Sequence, residues 1–271
     1  MEHRVCVWGL PIAPMTRSQA ADAVFELVEA GQPSFFITAN AHYAMLTHET
    51  PGVREINDRA AFVLADGAPL VWASRWKGRP VPERVAGSDL ILDLCGRASV
   101  GGQRIFLLGG AEGVADAAAE SLSRRFPGIR IVGTECPQIR ELTDDAHAAL
   151  LDRIRTARPD ILFVAFGQPR GEAWIAEHLQ ELGVPVSVQV GASLDFVAGR
   201  IRRAPHRLQK MGLEWAYRMW LEPSRLGPRY ARNAVFLLNM VARDLIQAIA
   251  EHLPGGRSRD LALGRQPGRG Y

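Results

Sequence analysis

A chain of 271 residues with 47% hydrophobic and 23% charged residues has the composition of an ordinary globular protein, which excludes a fibrous or disordered one. Its three cysteines, Cys6, Cys95 and Cys136, match neither a disulfide framework nor a zinc pattern and fit a reducing cytoplasm. The net charge is only +3, no apolar run reaches the ~18 residues of a bilayer span, and the N-terminus does not read as a signal peptide, so any membrane contact is expected to be peripheral.

In chain order, Arg4 to Ile12 reads as a strand or hairpin and Ser18 to Ala30 as a helix. Strands follow at Phe35 to Thr38 and Phe62 to Ala65, then a helix at Gly87 to Ala98 and a strand at Arg104 to Leu108. Next come a helix at Gly113 to Arg125, a strand at Ile129 to Gly133 and a helix at Asp144 to Ala157. A strand at Ile161 to Phe166, a helix at Glu172 to Leu182 and a strand at Val186 to Val190 complete the series. Short Val, Ile and Phe runs alternating with helices predict an α/β fold with a Rossmann-like, mainly parallel sheet. After Gly199 the pattern becomes helical, basic and aromatic. From Arg200 to Arg232 nine Arg or Lys face two acids, a local net charge of +7. The expected organisation is a catalytic core over 1–199, a basic helical appendage over 200–252 and a disordered tail over 253–271, where Gly and Arg leave little to bury.

Ligands of open α/β sheets bind beyond the carboxyl ends of the strands, where helix N-termini offer free amides. The candidate strand ends are Thr38-Ala39-Asn40, Asp66-Gly67, the Gly109-Gly110 turn, Gly167-Gln168-Pro169 and Gly191 with Asp195. Each has a structural alternative. Asn40 and Asp66 could cap the helices after them, Gly109 and Gly110 could serve a tight turn, and Arg84 could form a surface ion pair. The sites gain weight from being several on one sheet edge.

Through Thr38-Ala39-Asn40, Ala65-Asp66-Gly67, Arg84-Val85-Ala86-Gly87-Ser88-Asp89, Phe166-Gly167-Gln168-Pro169 and Val190-Gly191-Ala192, the sequence resembles the WecG/TagA/CpsF family of bacterial glycosyltransferases. The likeness continues to Gly212-Leu213-Glu214-Trp215 and Glu222-Pro223. It departs at Gly133-Thr134-Glu135-Cys136-Pro137, where an aromatic and proline pair is common, and at Pro228, where a basic residue is common. The resemblance implies an inverting transfer of a sugar from a UDP-sugar donor to an undecaprenyl-diphosphate-linked acceptor in cell-surface polymer synthesis. It gives Asp66 the role of base and places Thr38 and Asn40 beside it. Arg84 and Gln168 match further site positions, to which phosphate or sugar contacts are assigned. Gly109, Gly110, Gly191 and Asp195 are expected to bind substrate, and Arg218, Arg225 and Arg229 to reach a diphosphate from the appendage.

No Asp-x-Asp motif occurs, and His42, His48, His147, His178 and His206 are scattered and expected mostly at the surface. The reaction is therefore expected to need no metal and no cofactor, with arginines and helix N-termini neutralising the diphosphate. The basic appendage suits an anionic membrane surface. Nucleic acid is not an expected partner, and a homo-oligomer is possible. Two other classes compete. Gly109 to Gly113 followed by Glu135 could hold a dinucleotide in an oxidoreductase, and the basic segment could serve a non-catalytic nucleotide- or nucleic-acid-binding protein.

Overall fold

A computed structural model describes residues 4–78, 80–139, 141–205, 207–208 and 211–252. The expected tail lies outside them, as do His206 and Lys210. One sheet of eight strands carries the molecule, in the order β1-β2-β4-β3-β8-β7-β5-β6. β1 (Val5–Val7) and β2 (Leu10–Ile12) form an antiparallel hairpin, and every other pairing is parallel. The others are β3 (Ser34–Ala39), β4 (Val63–Ala65), β5 (Arg104–Gly109), β6 (Arg130–Glu135), β7 (Ile161–Ala165) and β8 (Val186–Gln189).

The α/β reading holds because both sheet faces are covered. Successive residues of a strand point to opposite faces. Phe35, Ile37, Val63, Leu162 and Val164 accordingly enter one buried cluster, while Phe36, Leu64, Ile161, Phe163, Val186 and Val188 enter the other. The second face is covered by α1 (Arg17–Ala30), α5 (Gly87–Gly101) and α6 (Val114–Arg125), with Leu194 from the short α9 (Ser193–Val197). The first carries α2 (Ala41–Glu49), α3 (Val53–Arg59), α4 (Ala68–Trp76), α7 (Asp144–Ala157) and α8 (Arg170–Leu182).

Local sequence explains the helix ends. Thr16 and Gln19 form a reciprocal capping box at α1, with hydrogen bonds of 3.2 and 2.8 Å, and Gly31 closes it in the left-handed region at φ 66°. Thr143 caps α7. α5 has no side-chain cap at its own N-cap residue, Ala86, which leaves the Gly87 N–H for a group from another element.

The chain ends in α10 (Glu214–Leu221) and the 30-residue α11 (Pro223–His252). α11 lies across the first face. Its Phe236 and Met240 are buried there, its Asp244 accepts from Trp8 at 2.9 Å, and it pairs with Lys77 at 2.8 Å. The opposite side of α11 is apolar and open: Val235, Leu238, Leu245, Ile246 and Ile249 are all exposed, as are Trp215 and Trp220 on α10. The stretch Leu226–Ala250 is long and apolar enough to cross a membrane by length and composition.

Candidate active site

The parallel strands β4, β3, β8 and β7 are neighbours and end on one edge, and beyond them lies a cavity of about 380 Å³. Its floor is made by the residues leaving these strands: Thr38 and Asn40 after β3, Asp66 and Gly67 after β4, Gly167 and Gln168 after β7, Gly191 after β8. Arg84 and Ser88 flank the start of α5. α10 and α11 close the other side with Glu214, Trp215, Arg218, Arg229, Tyr230 and Asn233.

Asp66 takes its place because its own N–H donates to the Ala39 carbonyl at 2.7 Å, continuing the β4 pairing one residue past the strand. Its Oδ2 accepts from the Gly87 N–H at 3.1 Å, at the first turn of α5. The carboxylate therefore lies at a helix N-terminus, but that of α5; the cap position of α4 belongs to Gly67, with no side-chain cap. A Cβ at position 87 would meet Thr38 Oγ1 at a tight 3.1 Å and Asp66 Oδ2 at 3.6 Å, so the glycine lets the helix come close without displacing the Thr38 hydroxyl. Burial pushes the Asp66 carboxyl up to about 6. The Gly87 amide and Arg84 oppose that rise, while Glu214 and Asp89 add to it. A carboxyl so placed is a usable base near neutral pH.

Gln168 binds the neighbouring strand ends together. Its Nε2 donates to the Thr38 carbonyl at 3.1 Å, and its Oε1 accepts from Asn40 Nδ2 at 3.3 Å. Asn40 does two things at once, since its Oδ1 also accepts the Tyr43 N–H at 3.1 Å and caps α2. The capping reading of Asn40 is thus correct, and its amide nitrogen still faces the cavity network. Thr38 is 92% covered, its hydroxyl turned toward Gly87.

Positive charge enters from three elements: Arg84 before α5, Arg218 on α10 and Arg229 on α11. The Arg218 guanidinium lies 5.3 Å from the centre of the Phe196 ring, which also lines the cavity. Arg203 stacks on the same ring at 5.9 Å and binds Asp89 at 2.6 Å and Glu214 at 3.6 Å. It ties the C-terminal segment to the first turn of α5, and so to the helix end that holds Asp66.

Gly109, Gly110 and Asp195 do not line this cavity. The two glycines turn the chain from β5 toward α6 at φ 98° and 88°, and a Cβ on either would strike Phe166 or Val114 at 2.9 Å. Asp195 lies on α9, where its carbonyl accepts the Arg200 N–H at 3.0 Å. Arg225 is in the first turn of α11, and its side chain is outside the described residues. Glu135, the acid of the dinucleotide alternative, is held by Arg153 at 2.6 Å.

Sequence reasoning missed His42, Phe196, Tyr230 and Asn233, all of which line the cavity. His42 was expected at the surface. Instead it bonds Asn233 Oδ1 at 3.0 Å, and burial together with Arg229 holds it below its usual value, favouring the neutral ring. His147 and His178 are not plain surface residues either: they pack around Trp174, whose Nε1 donates to His147. The signal for His42 and Asn233 was faint, because α2 and α11 meet only in three dimensions.

Residues 5–250 match the model of the glycosyl transferase WecG/TagA/CpsF family. The chain belongs to this family. It is a glycosyltransferase. It is similar to an N-acetylglucosaminyldiphosphoundecaprenol N-acetyl-beta-D-mannosaminyltransferase of Bacillus spizizenii, 31% identical over 198 residues, which are 73% of this chain and 75% of the relative. A protein of the same name from Staphylococcus aureus is 32% identical over 193 residues, 71% of this chain and 74% of that one. The family match spans both the sheet and α10 and α11, so every residue lining the cavity described above lies within it.

Proposed function

We propose that this glycosyltransferase moves an N-acetylmannosamine-type sugar from a UDP-sugar to an N-acetylglucosaminyl-diphosphoundecaprenol acceptor, inverting the anomeric centre. The observation that carries the reading is Asp66: a buried carboxyl raised to about 6, on the floor of a cavity whose other walls bring Arg84, Arg218 and Arg229. An attacking hydroxyl needs its proton removed as it bonds to the anomeric carbon, and the departing UDP needs positive groups around its diphosphate. In this scheme Asp66 accepts that proton. Thr38, Asn40 and Gln168 orient the sugars, and Gly191 leaves room beside them. Arg84, Arg218 and Arg229, with Arg225 from the same helix, take the charge of the leaving diphosphate in place of a metal.

On this reading the enzyme meets its lipid-linked acceptor at the inner face of the cell membrane. The apolar outer side of α11 and the exposed Trp215 and Trp220 support docking there. Although Leu226–Ala250 could span by length, its inner side packs Phe236 and Met240 into the core, which supports a helix lying on the membrane. The division into core and appendage remains part of this proposal, with α11 joined to the core by these contacts.

The test is transfer by the full-length protein from UDP-N-acetylmannosamine to a lipid-diphosphate N-acetylglucosamine, read as UDP release and as product mass. Turnover that persists in excess chelator is expected. No transfer with this pair, but transfer with UDP-glucose or a UDP-uronic acid, would overturn the sugar assignment; loss of activity on chelation, restored by magnesium or manganese, would overturn the metal-free step.

A further inference from the structure

Behind Gln168 sits an acid that the transfer chemistry does not use. Glu172 lies in the first turn of α8, one helical turn beyond Gln168, and is 1% exposed. Neither carboxyl oxygen completes a hydrogen bond among the described residues, although the Gln168 amide is near enough to favour the charged form. α8 is seated hard on β8, where a Cβ at Gly171 would lie 2.5 Å from the Gln189 side chain. β8 adds two more buried polar groups without partners among the described residues, the Ser187 hydroxyl and the Gln189 amide nitrogen.

Among the described residues no cation compensates this acid. α2 offers Tyr43, whose hydroxyl donates to Asn57 at 2.9 Å. α3 offers Arg59, which donates to the Ala176 carbonyl at 2.6 Å, one turn further along α8. α7 offers His147, engaged by Trp174. β3 and β8 carry no charged residue. An isolated carboxylate in such surroundings is heavily penalised, and the usual resolution is to keep the proton.

We infer that Glu172 is a positioning residue, kept as the neutral acid behind Gln168 on the cavity floor. The uncharged carboxyl leaves the Gln168 amide to hold Thr38 and Asn40, and adds no negative charge behind a cavity where a nucleoside diphosphate must bind. Its ionisation draws the Gln168 amide toward Glu172 and away from the Thr38 carbonyl, and sets a negative charge behind the cavity that must take the anion. Burial pushes the carboxyl up to about 8, so the change falls on the alkaline side of neutrality. The identity of the anion rests on the transferase reading.

The experiment uses the full-length enzyme and Glu172→Gln, which removes the titration but keeps the shape. UDP binding is measured by calorimetry from about pH 6 to about pH 9. Wild-type affinity falls severalfold as pH passes about 8, and the variant's affinity does not follow it. The same alkaline fall in both proteins overturns the inference. Infrared difference spectra of the ligand-free proteins give a second arm. A protonated carboxyl band that disappears above about pH 8 and is missing from Glu172→Gln supports the proposal, and its absence from the wild type ends it. Thermal unfolding provides a third. The folded carboxyl holds its proton more tightly than the unfolded one, so the wild type loses stability as pH rises from 4.5 to about 8, and the variant lacks that slope. Failure to bind UDP at any pH would sink the UDP-sugar reading, and the infrared and unfolding arms would still decide Glu172.

Discussion

Asp66 shows how a short motif becomes chemistry. Its position after β4 was legible as a polar residue at the end of an apolar run. Its partner was not, because Gly87 lies 21 residues on and meets it only through the fold. As the proposed base, Asp66 works ionised, and burial raises its carboxyl to about 6, so activity should fall as pH drops through about 6. The measurement is kcat/KM against pH, and a profile flat down to about pH 4, the ordinary carboxylate range, would remove Asp66 from the role. Asp66→Asn should keep the fold and UDP binding but slow transfer by roughly 10² to 10⁴, the usual worth of a positioned base. Single-turnover rates beside thermal unfolding would separate that result from loss of structure. Asn40 carries a different lesson: capping and site duty were weighed as alternatives, and one amide performs the first with its oxygen while its nitrogen joins the Gln168 network.

At the scale of elements, the parallel strands were readable because strands buried on both faces are nearly continuous apolar runs. The helices α2, α3, α4 and α9 were not. α2 buries Tyr43, Ala44, Met45 and Thr47 on nearly all sides, which erases any stripe of period 3.6, and α4 opens with Gly67 and Pro69 and exposes Trp72 and Trp76. The link between elements that matters most for the site is Arg203. It pairs with Asp89 and Glu214, the two acids that push Asp66 up, and so offsets both. Arg203→Ala should therefore move the acid limb of the pH profile above its wild-type position near about 6, with less activity at neutral pH. An unmoved limb would mean that Arg203 only holds the segment in place.

For the whole molecule, the open side of α11 should decide where the enzyme resides. Leu238 and Leu245 are exposed there, at 72% and 60%, and contact little else. Replacing both by Gln should leave thermal stability within about 0.5 kcal/mol, as for other surface changes, yet weaken pelleting with anionic vesicles by on the order of tenfold per residue. Turnover of a water-soluble acceptor should persist while turnover of the lipid-linked one falls. Vesicle binding equal to wild type would show that this side meets something other than lipid.

The sheet order has one more consequence, for the history of each molecule. β3 lies at Ser34–Ala39, yet its inner neighbour is β8 at Val186–Gln189, about 150 residues later along the chain. A nascent chain leaving the ribosome carries Thr38, Asn40 and Asp66 early and must wait for β8 before the two halves of the sheet can join. Until then β3 and β7 each present an unpaired edge, the kind of surface that seeks another chain. Such long-range pairing is also slow to form. The cavity floor is thus among the last parts to be completed, and the long C-terminal helix that closes the cavity emerges only after the strands it packs against.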